Sequence, residues 1–404
     1  MTNVLLTRAT GAGVEDLAAY RAAGGYEALA RVRSSMKPDD VIREVADAEL
    51  RGHGGAAFPA GRKWALAAAA EGAPKYVVAN GGEHEPGSRK DRLLLAQFPH
   101  KVLEGTALCA YATGATVAYV YVIEDMADAI ASVRRAIEES KAAGLLGDLE
   151  VHVALAPPTY VAGEETAALE VIEGRKAWPR KKPPYPGQVG LFGKPTTVNN
   201  VETLAYVPAI VRDGAARFRA LGKNGGAGRK LFTLDERVRR PGVHELPLGA
   251  TFRELIDGAG GGARSGRAIR AILPAMSSAF LPGSALDVPM TFDAVKEAGS
   301  GLGCGGVSFV EEGEPIVDRL VEISRFFMRE QCGQCPPCRM ETNTLAAVMA
   351  KVKAGEPGDA AAQVEKIAAF ARGKGYCSLI EMAAAPVRSA IRLFPDEFRG
   401  QPAA

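Results

Sequence analysis

The sequence has few cysteines, few aromatic residues and no long apolar run. Six cysteines in 404 residues are too few for a disulfide scaffold. No stretch approaches the roughly 20 consecutive apolar residues that cross a bilayer. Met1–Arg8 lacks the charged start and apolar run of a secretory signal. These absences predict a chain without direct membrane insertion, located in the reducing cytoplasm.

An excess of either charge is also missing. The chain has 49 Lys and Arg residues against 47 Asp and Glu residues, a formal net charge of +2. This balance argues against nucleic acid and anionic membranes as main partners. Hydrophobic residues make up 47% of the chain, and the length predicts about two to four compact units.

The first half of the chain alternates between β-favouring and helical patterns. Strands are predicted over Lys75–Ala79, Thr116–Ile123 and Glu150–Leu155, with helices over Val102–Ala112 and Ala127–Ala143. Apolar strands separated by amphipathic helices are typical of βαβ units. The pattern therefore predicts an α/β fold with a parallel sheet.

Other segments differ in texture. The first 30 residues or so and Asp39–Leu50 have helical patterns, and Trp178–Pro195 is a loop rich in proline and glycine. A helix over Val201–Asp213 is predicted to end the first domain. Lys230–Pro282 has the short strands of a small α+β unit, and the chain from Pro315 onward is almost wholly helical.

Four cysteines show metal-ligand spacing. Cys332, Cys335 and Cys338 are separated by two residues each, and Cys377 follows in a later helical region. Two-residue spacers let three thiolates converge from one loop, and a distant fourth completes a cubic cluster. The spacing favours one [4Fe-4S] cluster. Structural zinc, which more often uses two separated pairs, and unrelated free thiols are the alternatives.

Two glycine-containing loops have the composition of a cofactor site. Arg51–Gly61, followed by Lys63, brings backbone N–H groups close to a helix start, where anions bind. Asn80–Gly87 follows the first predicted strand and carries Glu83 and Glu85. Ligands of open parallel sheets lie at the carboxyl ends of strands. A simple turn and a solvated acidic loop are the respective alternatives.

Two further polar segments lie downstream. Tyr160–Thr166 follows the third predicted strand and contains two adjacent glutamates. Pro195–Thr203 offers donors and acceptors suited to a ribityl chain or a phosphate. Asparagines often cap helices instead, and Asn200 is placed to do so. Polar loops at successive strand ends favour one shared site.

Together these motifs give the chain a family resemblance. It resembles the flavin-containing NADH-binding subunit of respiratory complex I, and related subunits of NAD-linked formate dehydrogenases, hydrogenases and tungsten aldehyde oxidoreductases. The matching stretches include RGHGGAAFPAGRKW, NGGEHEPGSRKDR, VAGEETAALEVIEGR, KKPPYPGQVGLFGKPTTVNNVETL, GSGLGCGGV and EQCGQCPPCR. They occur in family order from about Arg51 to Phe398.

The resemblance implies three units. Residues 1–228 would hold N-terminal helices and a Rossmann-like domain for flavin and NADH. Residues 229–314 would form a ubiquitin-like α+β domain with a connector, and residues 315–404 a helical [4Fe-4S] domain. The implied activity passes hydride between NAD(H) and flavin, and single electrons between flavin and cluster. Hydride transfer needs no general acid or nucleophile, so no catalytic residue is predicted.

The resemblance also assigns site residues by position. The flavin contacts would be Gly54, Lys63, Asn80, Glu83, Glu164, Asn199, Asn200 and Thr203. The NAD side would be lined by Phe58, Glu85, Glu165, Lys182 and Tyr185, and the cluster ligands would be Cys332, Cys335, Cys338 and Cys377. Tyr185 stands where the family usually has a phenylalanine stacked on adenine.

Departures from the family pattern bear on the flavin. His53 replaces an arginine, Ala57 a glycine, Ala60 a threonine and Gly82 an aspartate. FMN, usual in the complex I branch, is favoured over FAD, which occurs in the aldehyde oxidoreductase branch. The departures also motivate a flavin-free iron–sulfur relay subunit as an alternative.

The resemblance also predicts the partners. They would be NAD(H) and the other iron–sulfur and catalytic subunits of a redox complex. A soluble NAD-linked dehydrogenase, such as an aldehyde or formate oxidoreductase, is favoured over respiratory complex I.

Overall fold

The computed structural model describes residues 3–8, 13–356 and 358–398. Its helices are α1 (Leu17–Ala22), α2 (Glu27–Ser35), α3 (Pro38–Asp47), α4 (Ala60–Ala69), α5 (Lys90–Gln97), α6 (Pro99–Thr113), α7 (Ala127–Ala142), α8 (Glu165–Ile172), α9 (Val201–Asp213), α10 (Ala215–Arg219), α11 (Phe292–Glu297), α12 (Ile316–Glu330), α13 (Pro336–Lys353), α14 (Ala360–Ala371), α15 (Leu379–Met382) and α16 (Ala385–Leu393). Short 3-10 helices span Tyr160–Gly163, Leu191–Gly193, Gly283–Asp287 and Pro395–Phe398, and a π-helical turn spans Glu254–Ala259.

The strands form two sheets. They are β1 (Tyr76–Gly81), β2 (Val117–Ile123), β3 (Glu150–Ala156), β4 (Thr196–Asn200), β5 (Arg229–Leu234), β6 (Gly242–Pro247), β7 (Ile269–Leu273), β8 (Leu281–Pro282) and β9 (Gly306–Glu311). The first sheet has the order β3-β2-β1-β4 and the second β6-β5-β9-β7-β8.

The first sheet is parallel, as the sequence predicted. The chain steps outward from β1 to β2 to β3, and then returns to place β4 on the other side of β1. The predicted strands near residues 75, 116 and 150 are β1, β2 and β3. The strand order reverses between β1 and β4, and this topological switch point opens a crevice at the carboxyl ends of both strands.

Helix α6 is the buried core of this first unit. Nearly all of its residues are buried, and it packs against α9. A Cβ atom at Gly105 would lie 1.9 Å from the carbonyl oxygen of Leu204, so this approach of two backbones requires glycine. The helix predicted over Val102–Ala112 is therefore present and slightly longer. No helix among the described residues is long and apolar enough to cross a membrane.

The sequence analysis missed β4. Thr196–Asn200 is short and polar, so it has no apolar run, yet it pairs with β1 along its whole length. The helical prediction for the N-terminal segment is wrong over residues 3–8 and 13–16, and residues 1–2 and 9–12 lie outside the described residues. The N–H groups of residues 4, 5 and 6 donate to the buried carboxylate of Glu245, which holds this segment without a helix.

The second sheet forms the small α+β unit. Strand β5 pairs antiparallel with β6 and parallel with β9, and β7 pairs antiparallel with β8 and β9. The sequence pattern predicted this unit over Lys230–Pro282. Its central strand β9 lies further along the chain, because a sheet takes partners by hydrogen-bond geometry and not by sequence distance.

The last unit is helical. Helices α12, α13, α14 and α16 pack around a core that includes Leu320, Phe327, Leu345 and Val387. The cysteine-rich segment joins α12 to α13. Val161 from the segment after β3 packs into the same core, so this helical unit contacts the first sheet unit directly.

Candidate functional site

The crevice at the switch point collects the predicted polar residues of β1 and β4. Asn80 near the end of β1 is paired in register with Asn200 at the end of β4. The Nδ2 atom of Asn80 donates to the carbonyl oxygen of Gly163 at 3.0 Å, and its Oδ1 atom accepts from the N–H of Gly82. One side chain thus joins the loops that follow β1 and β3.

The glycine-rich loop closes one side of the crevice. Its ends are tied by a β-bridge between residues 51 and 59, and the N–H of His53 donates to Oγ1 of Thr203 at 2.9 Å. A Cβ atom at Gly54 would lie 3.2 Å from Cβ of Asn200. Backbone in such close contact with the β4–α9 junction leaves its N–H groups near the start of α9, where an anion is favoured.

Two lysines and two glutamates predicted from different motifs meet in one ion cluster. The ammonium group of Lys182 lies 2.8 Å from Glu164 and 3.2 Å from Glu165. Lys63 lies 3.2 Å from Glu165 and donates to the carbonyl oxygen of Val198. Burial would raise the pKa of Glu165, but Lys63 and Lys182 outweigh it and lower that pKa.

Glu164 has a second task at the start of α8. Its carboxylate accepts hydrogen bonds from the N–H groups of Thr166 and Ala167, so it is the N-cap of this helix. The same side chain holds Lys182. Burial would lower the pKa of Lys182, but Glu164 and Glu165 raise it, so the lysine stays charged.

Glu83 is engaged with α5. Its two carboxylate oxygens accept from the hydroxyl of Ser88 and from the N–H groups of Lys90, Asp91 and Arg92. Burial and the nearby Asp91 carboxylate raise the pKa of Glu83 to about 7. In this arrangement Glu83 satisfies the N-terminus of α5, so its carboxylate is held facing the helix.

Glu85 is instead a junction between three parts of the molecule. One oxygen accepts from the hydroxyl of Tyr160 at 2.8 Å, and the other accepts from N–H and Oγ of Ser277 at 3.0 and 2.9 Å. Ser277 belongs to the second unit, and the ring of Tyr160 packs on Phe326 and Phe327 of α12. The sequence analysis did not assign a site role to Tyr160 or Ser277. Tyr160 had a signal, its place after a strand; Ser277 had none.

The asparagines after β4 support the framework. Oδ1 of Asn199 accepts from Nε1 of the fully buried Trp64 at 2.8 Å. Asn200 is the N-cap of α9, and its Nδ2 atom donates to Asp91 at 2.6 Å. The capping alternative for Asn200 therefore holds in the structure.

A buried charge cluster beneath the glycine loop was not predicted. The fully buried Glu202 lies 2.9 Å from the ammonium of Lys90, 3.6 Å from that of Lys230 and 3.3 Å from Nδ1 of His53. Burial would raise the pKa of Glu202, but the two lysines and the histidine hold it well below its ordinary value. Burial lowers the pKa of His53, so this ring stays neutral.

The two predicted aromatic residues lie at the rim. Phe58 is 39% exposed with the guanidinium of Arg62 over its ring, and Tyr185 is 57% exposed. Large aromatic rings left in solvent can stack on a planar ligand such as adenine. Neither ring contacts the other predicted NAD-side residues through a hydrogen bond in the described part of the chain.

The four predicted ligand cysteines line one cavity. Its walls comprise Cys332, Cys335, Cys338 and Cys377 with Val161, Pro179, Gln331, Gly333, Gln334, Gly375, Tyr376, Leu379 and Ile380. In the described residues the thiols line this wall, and no three cysteine, histidine or carboxylate groups converge on a single-ion site.

The chemistry of this cavity fits a soft metal group. Burial raises the pKa of Cys338 to about 12 and that of Cys377 to about 11. Thiols with such values deprotonate when a metal binds them. Cys109 and Cys304 lie outside the cavity: Cys109 is buried in α6, and the carbonyl oxygen of Cys304 accepts from Lys230.

Comparison with known families agrees with these positions. The family described as Nuo51 FMN-binding domain matches residues 45–209, which include the glycine loop and the crevice. The SLBB domain matches residues 236–273 in the second unit. The NADH-ubiquinone oxidoreductase-F iron-sulfur binding region matches residues 318–401, which include all four cavity cysteines.

Whole-length relatives carry related names. The second NADH-quinone oxidoreductase F-type subunit of Rhizobium meliloti is 41% identical over 95% of this chain and 93% of its own length. The NADH-quinone oxidoreductase F-type subunit of Escherichia coli is 38% identical over 94% of this chain and 88% of its own length.

A solved structure supports the fold. A chain of an NAD+-reducing [NiFe]-hydrogenase in the H2-reduced state superposes with a TM-score of 0.83 at 33% identity. The match covers 91% of the present chain but only 64% of that hydrogenase chain. The full-length identity to the curated relatives decides the assignment: this chain belongs to the family of NADH-quinone oxidoreductase F-type subunits.

Proposed function

We propose that this chain is the NADH-binding flavoprotein subunit of a multisubunit oxidoreductase. It would hold FMN in the crevice between β1 and β4, NAD(H) beside the flavin, and one [4Fe-4S] cluster in the cysteine cavity. The observation that carries this proposal is the segment after β3. Tyr160 binds Glu85 at the crevice, and the next residue, Val161, lines the cysteine cavity.

A flavin accepts two electrons as hydride and releases them one at a time, and this is the chemistry that FMN would supply. The protein's residues position it. Backbone N–H groups around Gly54 and the ammonium of Lys63 suit the phosphate, and Asn80, Asn200 and Thr203 lie at the crevice for the ribityl chain. Glu83, Glu164 and Asn199 complete the proposed set.

The NAD side of the proposal rests on charge and exposure. Phe58 and Tyr185 present rings for adenine, while Glu85, Glu165 and Lys182 would orient the ribose and carboxamide groups. These residues bind and orient; none is proposed to transfer a substrate proton. The boundaries 1–228, 229–314 and 315–404 are part of the same proposal, and so is a cytoplasmic location.

Two assemblies are compatible with this function. One is a soluble NAD-linked dehydrogenase, such as an aldehyde or formate oxidoreductase, and the NAD+-reducing hydrogenase chain is a relative of that kind. The other is the NADH dehydrogenase subunit of respiratory complex I. The second is favoured by one observation, since this chain spans about nine-tenths of its NADH-quinone oxidoreductase relatives but 64% of the hydrogenase chain.

The test is the visible spectrum of the anaerobically purified chain before and after NADH, with the released flavin identified by chromatography. We expect the flavin band to bleach over a broad iron–sulfur absorption, and the released flavin to be FMN. Cluster absorption without flavin would establish the relay-subunit alternative, which the changes at His53 and Gly82 motivate.

A matched pair of variants sharpens this test. Lys63→Met should reduce the flavin content, because its ammonium group lies at the crevice. Lys366→Met removes an exposed lysine from α14 and should leave the flavin content unchanged. Equal flavin content in both variants would argue against the crevice as the flavin site.

A further inference from the structure

Two neighbouring residues of α13 are placed against their usual preference. Met340 is 52% exposed, whereas Glu341 beside it is 1% exposed. Glutamate is almost never fully buried unless it is paired. A sequence that breaks such a local rule does so most often at a functional site.

Glu341 lies next to the cysteine cavity. It follows Cys338 by three residues on the same helix, and residues at that spacing lie on one face about 5–6 Å apart between Cβ atoms. The helix is continuous here, since Oγ1 of Thr342 donates to the carbonyl oxygen of Cys338 at 3.0 Å. The buried carboxyl group is therefore one helical turn from a cavity thiol.

The surroundings of this carboxyl group leave it unpaired. Its Oε2 atom has no hydrogen-bond partner among the described residues. Two charged groups act on it: Glu381 on α15, which is exposed, and Arg388 on α16. The guanidinium of Arg388 is already bound to Glu365 at 2.7 and 2.8 Å. Burial, and then Glu381, raise the pKa of Glu341 to about 8.

We propose that Glu341 is a tuning residue, which takes up one proton when the group in the cysteine cavity takes up one electron. The inference rests on the proposed function, because it requires a [4Fe-4S] cluster bound by the four cysteines. The electron comes from the flavin side and adds one negative charge to the cluster. A negative charge one helical turn away disfavours the carboxylate.

The step balances in charge and atoms. Glu341 accepts a proton from solvent, forming one O–H bond, as the cluster gains the electron. When the electron leaves to the next carrier, Glu341 returns the proton. Exposed Glu381 lies beside the buried group and offers the shortest polar route to water.

The proposal makes the reduction potential of the cluster depend on pH. The potential should fall as pH rises through the region around the pKa of Glu341. The limit is about 59 mV for each tenfold fall in proton activity, because one proton accompanies one electron. Glu341→Gln keeps the size of the side chain but cannot ionise, so its potential should not change with pH.

The experiment is a redox titration of the full chain, followed by the electron paramagnetic resonance signal of the reduced cluster at a series of pH values. The matched control is Glu322→Gln, which removes an exposed carboxylate from α12. We expect a slope in the wild type and in Glu322→Gln, and no slope in Glu341→Gln. A flat wild-type curve, or equal slopes in wild type and Glu341→Gln, would overturn the proposal.

A second variant covers the case in which Glu341→Gln does not bind the cluster. Glu381→Gln removes the negative charge that raises the pKa of Glu341, so the pH-dependent region should move to lower pH. A purely structural role for Glu341 would leave that region where it is, and this outcome would overturn the inference. A wild-type chain with no cluster signal would refute the proposed function itself.

Discussion

The hydroxyl group of Tyr160 donates a hydrogen bond to the carboxylate of Glu85 at 2.8 Å. The backbone N–H of Tyr160 donates in turn to Glu330 at the end of α12. One residue therefore ties the loop after β1 to the helical unit that carries the cysteine cavity. Burial and the charge of Glu85 raise the pKa of the tyrosine well above its ordinary value, so it stays a hydrogen-bond donor.

Removing this hydroxyl should weaken NADH oxidation without unfolding the chain. In Tyr160→Phe, Glu85 keeps its two bonds to Ser277 but loses one donor. A hydrogen bond to a charged group contributes about 1.5–3 kcal/mol, so kcat/KM for NADH should fall at least tenfold. Steady-state kinetics with an artificial acceptor measure this. Tyr111→Phe, which removes a hydroxyl bonded to the carbonyl oxygen of Met36, should leave kcat/KM unchanged.

Iron and flavin should be lost independently. Cys335→Ala removes one thiol from the cavity and should abolish most of the iron and sulfide, while the flavin content stays near that of the wild type. The reason is that Cys335 lies in the cavity wall and the crevice is built by other elements. Metal and flavin analysis of the same sample measures both.

Cys109 provides the control for that variant. It is fully buried in α6 and away from the cavity, so Cys109→Ala should keep about four iron atoms per chain. Loss of flavin together with iron in Cys335→Ala alone would mean that the two sites do not fold independently.

Glu202→Gln should be among the most destabilising single changes in the first unit. It leaves the buried ammonium groups of Lys90 and Lys230 with less negative charge. Breaking a buried ion pair costs about 3–5 kcal/mol. Denaturant unfolding at neutral pH measures the difference, and the exposed Glu322→Gln should change stability by less than about 0.5 kcal/mol.

The same variant predicts a pH dependence. The folded pKa of Glu202 is lowered relative to the unfolded chain. Its contribution is therefore fully present above about pH 4.5, and it is lost as pH falls through the lower folded pKa. The stability difference between wild type and Glu202→Gln should be constant from pH 7 to about 5 and shrink below that. A difference that shrinks already near neutral pH would contradict the assignment.

Gly163→Ala should disturb the crevice through the backbone. A Cβ atom at residue 163 would lie 2.5 Å from the carbonyl oxygen of Gly82, so the loops after β1 and β3 must separate. Overpacking of this kind costs about 1–3 kcal/mol. We expect lower flavin content and a lower melting temperature.

Gly258→Ala is the control for this change. Its Cβ atom would meet nothing within 4 Å, and the residue is exposed. If both variants retained the wild-type flavin content, the close contact between Gly82 and Gly163 would not shape the cofactor site.

Much of the fold followed from local patterns. The β-branched runs of β1, β2 and β3 and the helices between them were predictable, because apolar periodicity depends on neighbouring residues only. Strand β4 was not, because its polar residues form a strand only by pairing with β1. The extended N-terminal segment depends in the same way on Glu245, over two hundred residues away.

Within the site, the sequence by itself determined which residue types are available: the four cysteines at cluster spacing, the glycine loop and the glutamates at strand ends. Only the tertiary structure decided how each is used. It commits Glu83 to the start of α5 and joins Glu85 to Ser277 of another unit. It also buries Glu341 beside Cys338 while exposing Met340. The physical reason is that capping, ion pairing and burial depend on which groups meet in space, and distant partners leave no signature in the local sequence.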